Sequence, residues 1–387
     1  MERVNLDGKE IKPLTICLIS GGGFVGSHLC EKLMADTSHK AIVVDISSEK
    51  INHLLDHSSP WRDRIEFHKI KIKNDSNSLL ETLIKASDLT INLSAICTPY
   101  MSRPLARIKS YFLDAILNFP VVKYCTESNK RLIHFSTCGV YENTERSFLP
   151  EYQVIRKDVC TFSFGMEQEP NLLKEDASPS ICDPIGKHRW SYACAKQMME
   201  RLIYAEDAEH GLDFTIVIPF NWIGPEMDFI PGVDRLTGGV PRVLACFSNN
   251  LLRGEPLKVD CEKSQRSFCY IKDAIEAILL MIENPERANG QIFDVGNPDN
   301  EVTVKQFAEM MIEVYAKVGG KSAPGSSTID VSSEILYGEG YDDIDQRIPD
   351  MTIISKQLGW KPTTSLQDLL EITLSYQHQT YSQSIKK

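Results

Sequence analysis

Leu14-Thr15-Ile16-Cys17-Leu18-Ile19-Ser20-Gly21-Gly22-Gly23-Phe24-Val25-Gly26-Ser27 is the stretch that decides the fold. An apolar run enters a glycine turn, and a helical pattern follows over Ser27–Ala35. Glycines permit the tight turn and let a backbone approach a pyrophosphate. The helix N-terminus adds free N–H groups and a partial positive charge. About twenty residues on, a second apolar strand ends at Asp45, the spacing expected of a dinucleotide site. A carboxylate there accepts hydrogen bonds from a ribose 2′-hydroxyl and repels a 2′-phosphate, which favours NAD over NADP. Gly23, Phe24, Val25, Gly26 and Asp45 are the cofactor-binding candidates.

Working outward, β-type runs at Ala41–Val44, Ile65–Ile70, Leu89–Leu93, Leu132–Phe135 and Phe214–Val217 alternate with helical stretches. The helices are expected at Ser78–Lys85, Val121–Ser128 and Ser191–His210. Alternation of this kind predicts an α/β, Rossmann-type doubly wound parallel sheet. After Pro219 the pattern turns irregular, with helices expected at Val240–Leu252, Ile271–Glu283, Thr303–Val318 and Leu366–Tyr376. The small, polar Ser322–Ser333 reads as an exposed loop. The expected division is a Rossmann domain over 1–218 and, mainly over 219–387, a smaller substrate-binding domain interleaved with it.

Composition narrows the classes. The chain has 387 residues and a formal net charge of −11, which repels nucleic-acid backbones. No apolar run reaches the roughly 18–20 residues of a membrane span. Met1–Lys12 carries no apolar signal core, so the cytosol is the expected compartment. Eleven cysteines are scattered without CxxC or zinc spacing, so no metal is expected. An anionic substrate would need specific arginines to offset the global sign.

Tyr192 and Lys196 form a YxxxK pattern on one helix face. A nearby ammonium favours the phenolate, so the tyrosine can act as a base at neutral pH. The pattern follows Phe135-Ser136-Thr137, a strand end that places a third hydroxyl at the sheet's C-terminal edge. Asn92-Leu93-Ser94-Ala95-Ile96-Cys97 ends another strand at the same edge, where cofactors bind in open α/β sheets. Ala95 joins the cofactor candidates.

With these residues in place the chain resembles the plant UDP-apiose/UDP-xylose synthases. The likeness rests on Ile96–Pro99, Ser136-Thr137-Cys138, Arg189–Lys196, Pro219–Pro225 and Gly338–Asp343, and it runs from about Leu6 to Lys386. It implies that bound NAD+ oxidises C4 of UDP-glucuronate, that the keto acid loses CO2, and that reduction gives UDP-xylose or, after ring contraction, UDP-apiose. By resemblance Tyr192, Lys196 and Thr137 act at C4, and Cys97 and Cys138 assist ring opening and contraction. Arg189 and Arg347 would take the sugar carboxylate, with Asp343 positioning an arginine. Arg242 and Arg266 would take the uridine diphosphate, and Asn221 the diphosphate or sugar, unless it only forms a turn. The resemblance also implies a homodimer.

Four positions depart from the family pattern. Gly139 replaces a glutamate with a proton-transfer role, Ser20 a glycine of the phosphate turn, Ile218 an arginine, and Glu226 a basic residue. Glu142, three residues beyond Gly139, is not placed to replace the lost carboxylate without rearrangement. Three readings follow: a synthase with a retuned site, an oxidoreductase on another substrate, and an impaired NAD-binding paralogue that pairs with an active homologue.

Overall fold

The computed structural model describes residues 3–72, 78–95, 104–141, 191–227, 242–259, 264–319, 327–331 and 346–381. Seven strands form one parallel sheet: β1 Thr15–Ile19, β2 Lys40–Asp45, β3 Ile65–Lys69, β4 Leu89–Asn92, β5 Arg131–Phe135, β6 Phe214–Pro219 and β11 Gln291–Val295. Their spatial order is β11-β6-β5-β4-β1-β2-β3, with every pairing parallel. The chain therefore winds outward from β1 in both directions, the doubly wound topology expected from the alternation.

The inner strands β1, β2, β4 and β6 are mostly apolar because both faces of the sheet are covered there, whereas the edge strand β3 is buried only at Ile65. Ile16 and Leu18 join the core with Leu29, Leu33 and Ile278. Cys17 and Ile19, pointing the other way, pack with Val121, Val122, Met199 and Ile203. On the first face lie the helices α1 Phe24–Asp36 and α7 Ile271–Glu283, and on the second α3 Ser78–Ala86, α4 Pro104–Glu127 and α5 Ser191–His210. One-turn helices α2 Asn52–Leu55 and α8 Pro285–Ala288 link strands at the rim.

The expected helix at Val121–Ser128 is the tail of a much longer one. Pro120 lies inside α4 instead of starting it. An interior proline costs about 3 kcal/mol, and burial of Val121, Val122 and Cys125 against the sheet offsets that cost. The second correction is β11, a strand hidden in the irregular C-terminal half. It pairs with β6 from Gln291↔Thr215 to Val295↔Pro219, so the second half of the chain completes the first half's sheet.

The remaining elements gather beyond the C-terminal edge of β6. They are β7 Trp222–Ile223, α6 Val243–Arg253, β8 Leu257–Val259, β9 Gln265–Ser267, β10 Cys269–Tyr270, β12 Glu301–Thr303, α9 Val304–Gly319, β13 Thr328–Asp330, β14 Gln346–Arg347 and α11 Leu366–Tyr381, while α10 Thr352–Leu358 packs back on β11, α7 and α8. Part of the expected Ser322–Ser333 loop is a strand, because Thr328–Asp330 pairs in parallel with Leu257–Val259.

Ser20 adopts φ +59°, the left-handed region that a side chain enters at a cost of roughly 1–2 kcal/mol. Its N–H donates to the Val44 carbonyl at 2.7 Å, which fixes the turn. Ser20→Gly is expected to raise stability by about 1 kcal/mol, read as a higher thermal midpoint. An unchanged midpoint would show that the serine carries no strain.

Candidate active site

The glycine turn has the shape of a phosphate cradle. A Cβ on Gly26 would sit 2.4 Å from the Gly21 carbonyl oxygen, and one on Gly22 would sit 2.1 Å from that of Ser47. Gly21 is needed for packing, since a Cβ there would reach Leu18 and Val43 at 2.8 and 2.9 Å. Gly23 is different: within 4 Å its Cβ would meet just the Ser20 oxygen, at 3.6 Å. The turn is thus closed toward the sheet and open above Gly23, where α1 begins with Phe24 and Val25. Helix-initial N–H groups have no partner within their own helix, so this opening suits a pyrophosphate.

Asp45 closes the far side. Its Oδ2 accepts the Gly22 N–H at 2.9 Å and its Oδ1 accepts the Ile46 N–H at 2.6 Å. The carboxylate stands at the tip of β2, beside the turn. These residues fit a dinucleotide with an unphosphorylated 2′-hydroxyl.

Lys196 and Tyr192 occupy the first half of α5, and Tyr192 stands over the end of the sheet. The Lys196 ammonium is buried, donates to the Ser94 and Phe135 carbonyls at 3.2 Å each, and lies 5.8 Å from the centre of the Tyr192 ring. Thr137 follows β5 directly, and its Oγ1 accepts the Gly139 N–H at 3.2 Å. The structure therefore brings Tyr192, Lys196, Thr137, Ser94 and the exposed Ala95 to one edge, where β4 and β5 end. Cys138 begins a buried 3₁₀ turn, Cys138–Tyr141, that includes Gly139. Cys97, Arg189, Glu142 and Asp343 lie outside the described residues.

Sequence reasoning missed what surrounds Lys196. The Asp114 carboxylate of α4 lies 3.7 Å from its ammonium. Asn92 donates to Asn118 at 2.8 Å and meets His134 Nδ1 at 3.2 Å. Burial, reinforced by the Lys196 charge, holds His134 well below the usual imidazole range. One turn past Lys196, Glu200 accepts the Ser136 hydroxyl. Burial pushes the Glu200 carboxyl up, while the Ser136 hydrogen bond and the Lys196 charge pull it down. The i, i+4 pair Asp114/Asn118 was the available signal, a polar patch on a helix that must face a sheet.

Arg266 and Arg347 are register partners on adjacent parallel strands, β9 and β14, so their side chains leave the same face. Two like charges side by side are unfavourable unless an anion lies between them. Arg242 stands exposed at the N-cap of α6. Asn221 adopts φ +40°. Its side chain donates to the Ser267 carbonyl at 2.8 Å and its own carbonyl accepts from Cys269. It thereby pins β9 and β10 to the end of β6.

Ile218 and Glu226 have different surroundings. Ile218 is 2% exposed and packs in the core beside Asp294 of β11. Glu226 sits by the cofactor turn, where its carbonyl accepts from Lys50 at 2.7 Å and the neighbouring Pro225 carbonyl meets His28 at 3.1 Å.

Residues 17–296 match the NAD dependent epimerase/dehydratase family. Over its whole length the chain is 65% identical to UDP-D-apiose/UDP-D-xylose synthase 2 of Arabidopsis thaliana, covering 97% of that protein. It is 65% identical to UDP-D-apiose/UDP-D-xylose synthase of Oryza sativa subsp. japonica, covering 94% of it. Among solved structures, the PbgP3 protein of Burkholderia pseudomallei superposes with a TM-score of 0.76 at 27% identity, over 96% of this chain and 98% of that one. The fold also matches UDP-glucuronic acid 4-epimerase of Bacillus cereus, with a TM-score of 0.70 at 19% identity, over 95% of this chain and all of that one. By sequence, by fold and by the arrangement of its glycine turn and YxxxK helix, the chain belongs to the NAD dependent epimerase/dehydratase family.

Proposed function

We propose that the chain converts UDP-glucuronate to UDP-apiose and UDP-xylose. The observation that carries this is the full-length identity to synthases of that name, joined to a buried Lys196 one helical turn from Tyr192. NAD+, which Gly22, Gly23, Gly26 and Asp45 would hold, would supply the hydride acceptor for oxidation at C4 and the hydride donor for the closing reduction. Tyr192 accepts the C4-hydroxyl proton, Lys196 favours its phenolate, and Thr137 orients the hydroxyl. Oxidation makes the sugar a β-keto acid, so loss of CO2 leaves its electron pair delocalised onto the C4 oxygen, which Tyr192 can protonate. Arg266 and Arg347 supply paired charge for the anionic substrate, with Arg242 nearby in sequence. Cys138, and Cys97 with it, serve the proton transfers of ring contraction. Arg189 and Asp343 complete the carboxylate site.

Purified protein given NAD+ and UDP-glucuronate is expected to release CO2 and form both products. NAD retained with no product from UDP-glucuronate would sink this reading and leave an oxidoreductase on another substrate or the impaired paralogue. Gly139 favours that second reading, since a buried turn residue without a side chain transfers no proton. Gly139→Glu is expected to increase the UDP-apiose share if the lost carboxylate limits ring contraction.

The working form is a homodimer in the cytosol. Leu105, Phe112 and Phe119 recur at seven-residue intervals along α4 and are 64%, 69% and 49% exposed, and α5, which packs against α4, exposes Met198 and Tyr204. Such a stripe suits an isologous pairing of α4 and α5 with their copies. Phe112→Asp is expected to shift the protein to monomers in sedimentation. Buried thiols at Cys17, Cys30, Cys125 and Cys269 accord with a reducing compartment.

A further inference from the structure

We propose that Asp114 is a positioning residue that acts through Lys196: its carboxylate fixes the ammonium and limits how strongly that charge favours the Tyr192 phenolate. The inference rests on Tyr192 being the proton acceptor.

Lys196 and Asp114 are each 1% exposed and 3.7 Å apart, a separation at which attraction through a protein interior is strong. Two of the three ammonium N–H groups are directed to the Ser94 and Phe135 carbonyls. The third side of the ammonium faces Asp114. A chain of hydrogen bonds ties the backbone that carries it to the end of β4. Asn118 donates to the Asp114 carbonyl at 2.8 Å, Asn92 donates to Asn118, and Asn92 accepts the Ser94 N–H at 3.1 Å. The same segment that offers its carbonyl to Lys196 is thereby tied to the helix that offers the carboxylate.

Among the described residues, three other titratable groups stand around Lys196. From β5 comes His134, held neutral by burial. From α5 come Glu200, shared with Ser136, and Tyr192 itself. A lysine alone would hold the phenolate with its full charge. With Asp114 beside it, the net field at Tyr192 is smaller, so the phenol keeps a proton affinity high enough to return the proton when the ketone is reduced. Reversible chemistry at C4 needs both directions.

The test is an ultraviolet titration of the tyrosinate band, taking the difference between each protein and its Tyr192→Phe counterpart. Asp114→Asn keeps the shape and the oxygen acceptor but removes the charge. The Tyr192 midpoint is expected to fall by about one unit, and Asp114→Glu to restore it. A midpoint that stays put or rises in folded Asp114→Asn overturns the inference. Asp114→Ser gives the same reading if the asparagine variant does not fold. A purely structural Asp114 would lower the thermal midpoint of both variants and leave the titration unmoved. A difference signal with no midpoint below the ordinary tyrosine range would instead remove Tyr192 as proton acceptor, and the inference with it.

Discussion

Tyr192→Phe is expected to lower turnover about 10³-fold or more while leaving NAD affinity little changed, since a positioned acid–base group contributes typically 10²–10⁴-fold. The substitution removes one oxygen and keeps the ring, which packs 5.2 Å from the Tyr111 ring. The cofactor cradle of Gly22, Gly23, Gly26 and Asp45 is untouched. Measurement needs two assays on one preparation: sugar-nucleotide product by chromatography and NAD binding by fluorescence. Tyr111 supplies the control, because it is a second phenol beside the first and 5% exposed. Tyr111→Phe should retain most turnover. If Tyr111→Phe is the inactive variant and Tyr192→Phe turns over, the roles are exchanged and the YxxxK reading is wrong.

Gly26→Ala is the second large effect. The new methyl would sit 2.4 Å from the Gly21 oxygen, 2.5 Å from its Cα and 2.6 Å from its carbonyl carbon. All three are backbone atoms of the turn, and Gly21 cannot retreat because its own surroundings at Leu18 and Val43 are closed. The start of α1 must therefore lift off β1. Overpacking of this kind costs about 3 kcal/mol, and it also moves the N–H groups aimed at the pyrophosphate. The expected result is a lower thermal midpoint together with loss of NAD binding. Gly23→Ala, whose methyl meets open space, should retain the fold. A Gly26→Ala protein of unchanged stability would mean that the turn is looser than its contacts indicate.

The legibility of this fold in its sequence follows from burial. Strands covered on both faces are mostly apolar runs, so β1, β2, β4 and β6 could be read from residue type. β11 escaped because Gln291-Ile292-Phe293-Asp294-Val295 contains a buried aspartate whose partner, the Tyr141 hydroxyl at 2.9 Å, is remote in sequence. α4 was cut short because a proline usually marks a boundary, and only tertiary packing overrides that preference. In the site, Tyr192 and Lys196 announce themselves by spacing. Asp114, His134 and Glu200 do not, because what makes them part of the site is the sheet edge that gathers three elements around one ammonium. Ile218 and Glu226 both stand where the family pattern has a basic residue. Their neighbours show two unrelated settings, a core position and a turn.

The late arrival of β11 has a consequence for how the chain is made. During synthesis β6 is complete at Pro219, but its outer edge has no partner until Val295 has left the ribosome. For that interval the nascent sheet presents an open, apolar edge of the sort that recruits other chains. The segment that follows β6 is the one that builds the arginine-bearing lobe, so closure of the sheet waits for that lobe to be synthesised. Arg3 and Asp7 then clasp Glu283 and Arg287, drawing the first residues against the turn that delivers β11. A ribosome stalled within this interval, or a truncation before Gln291, should yield a sticky fragment rather than a smaller cofactor-binding domain.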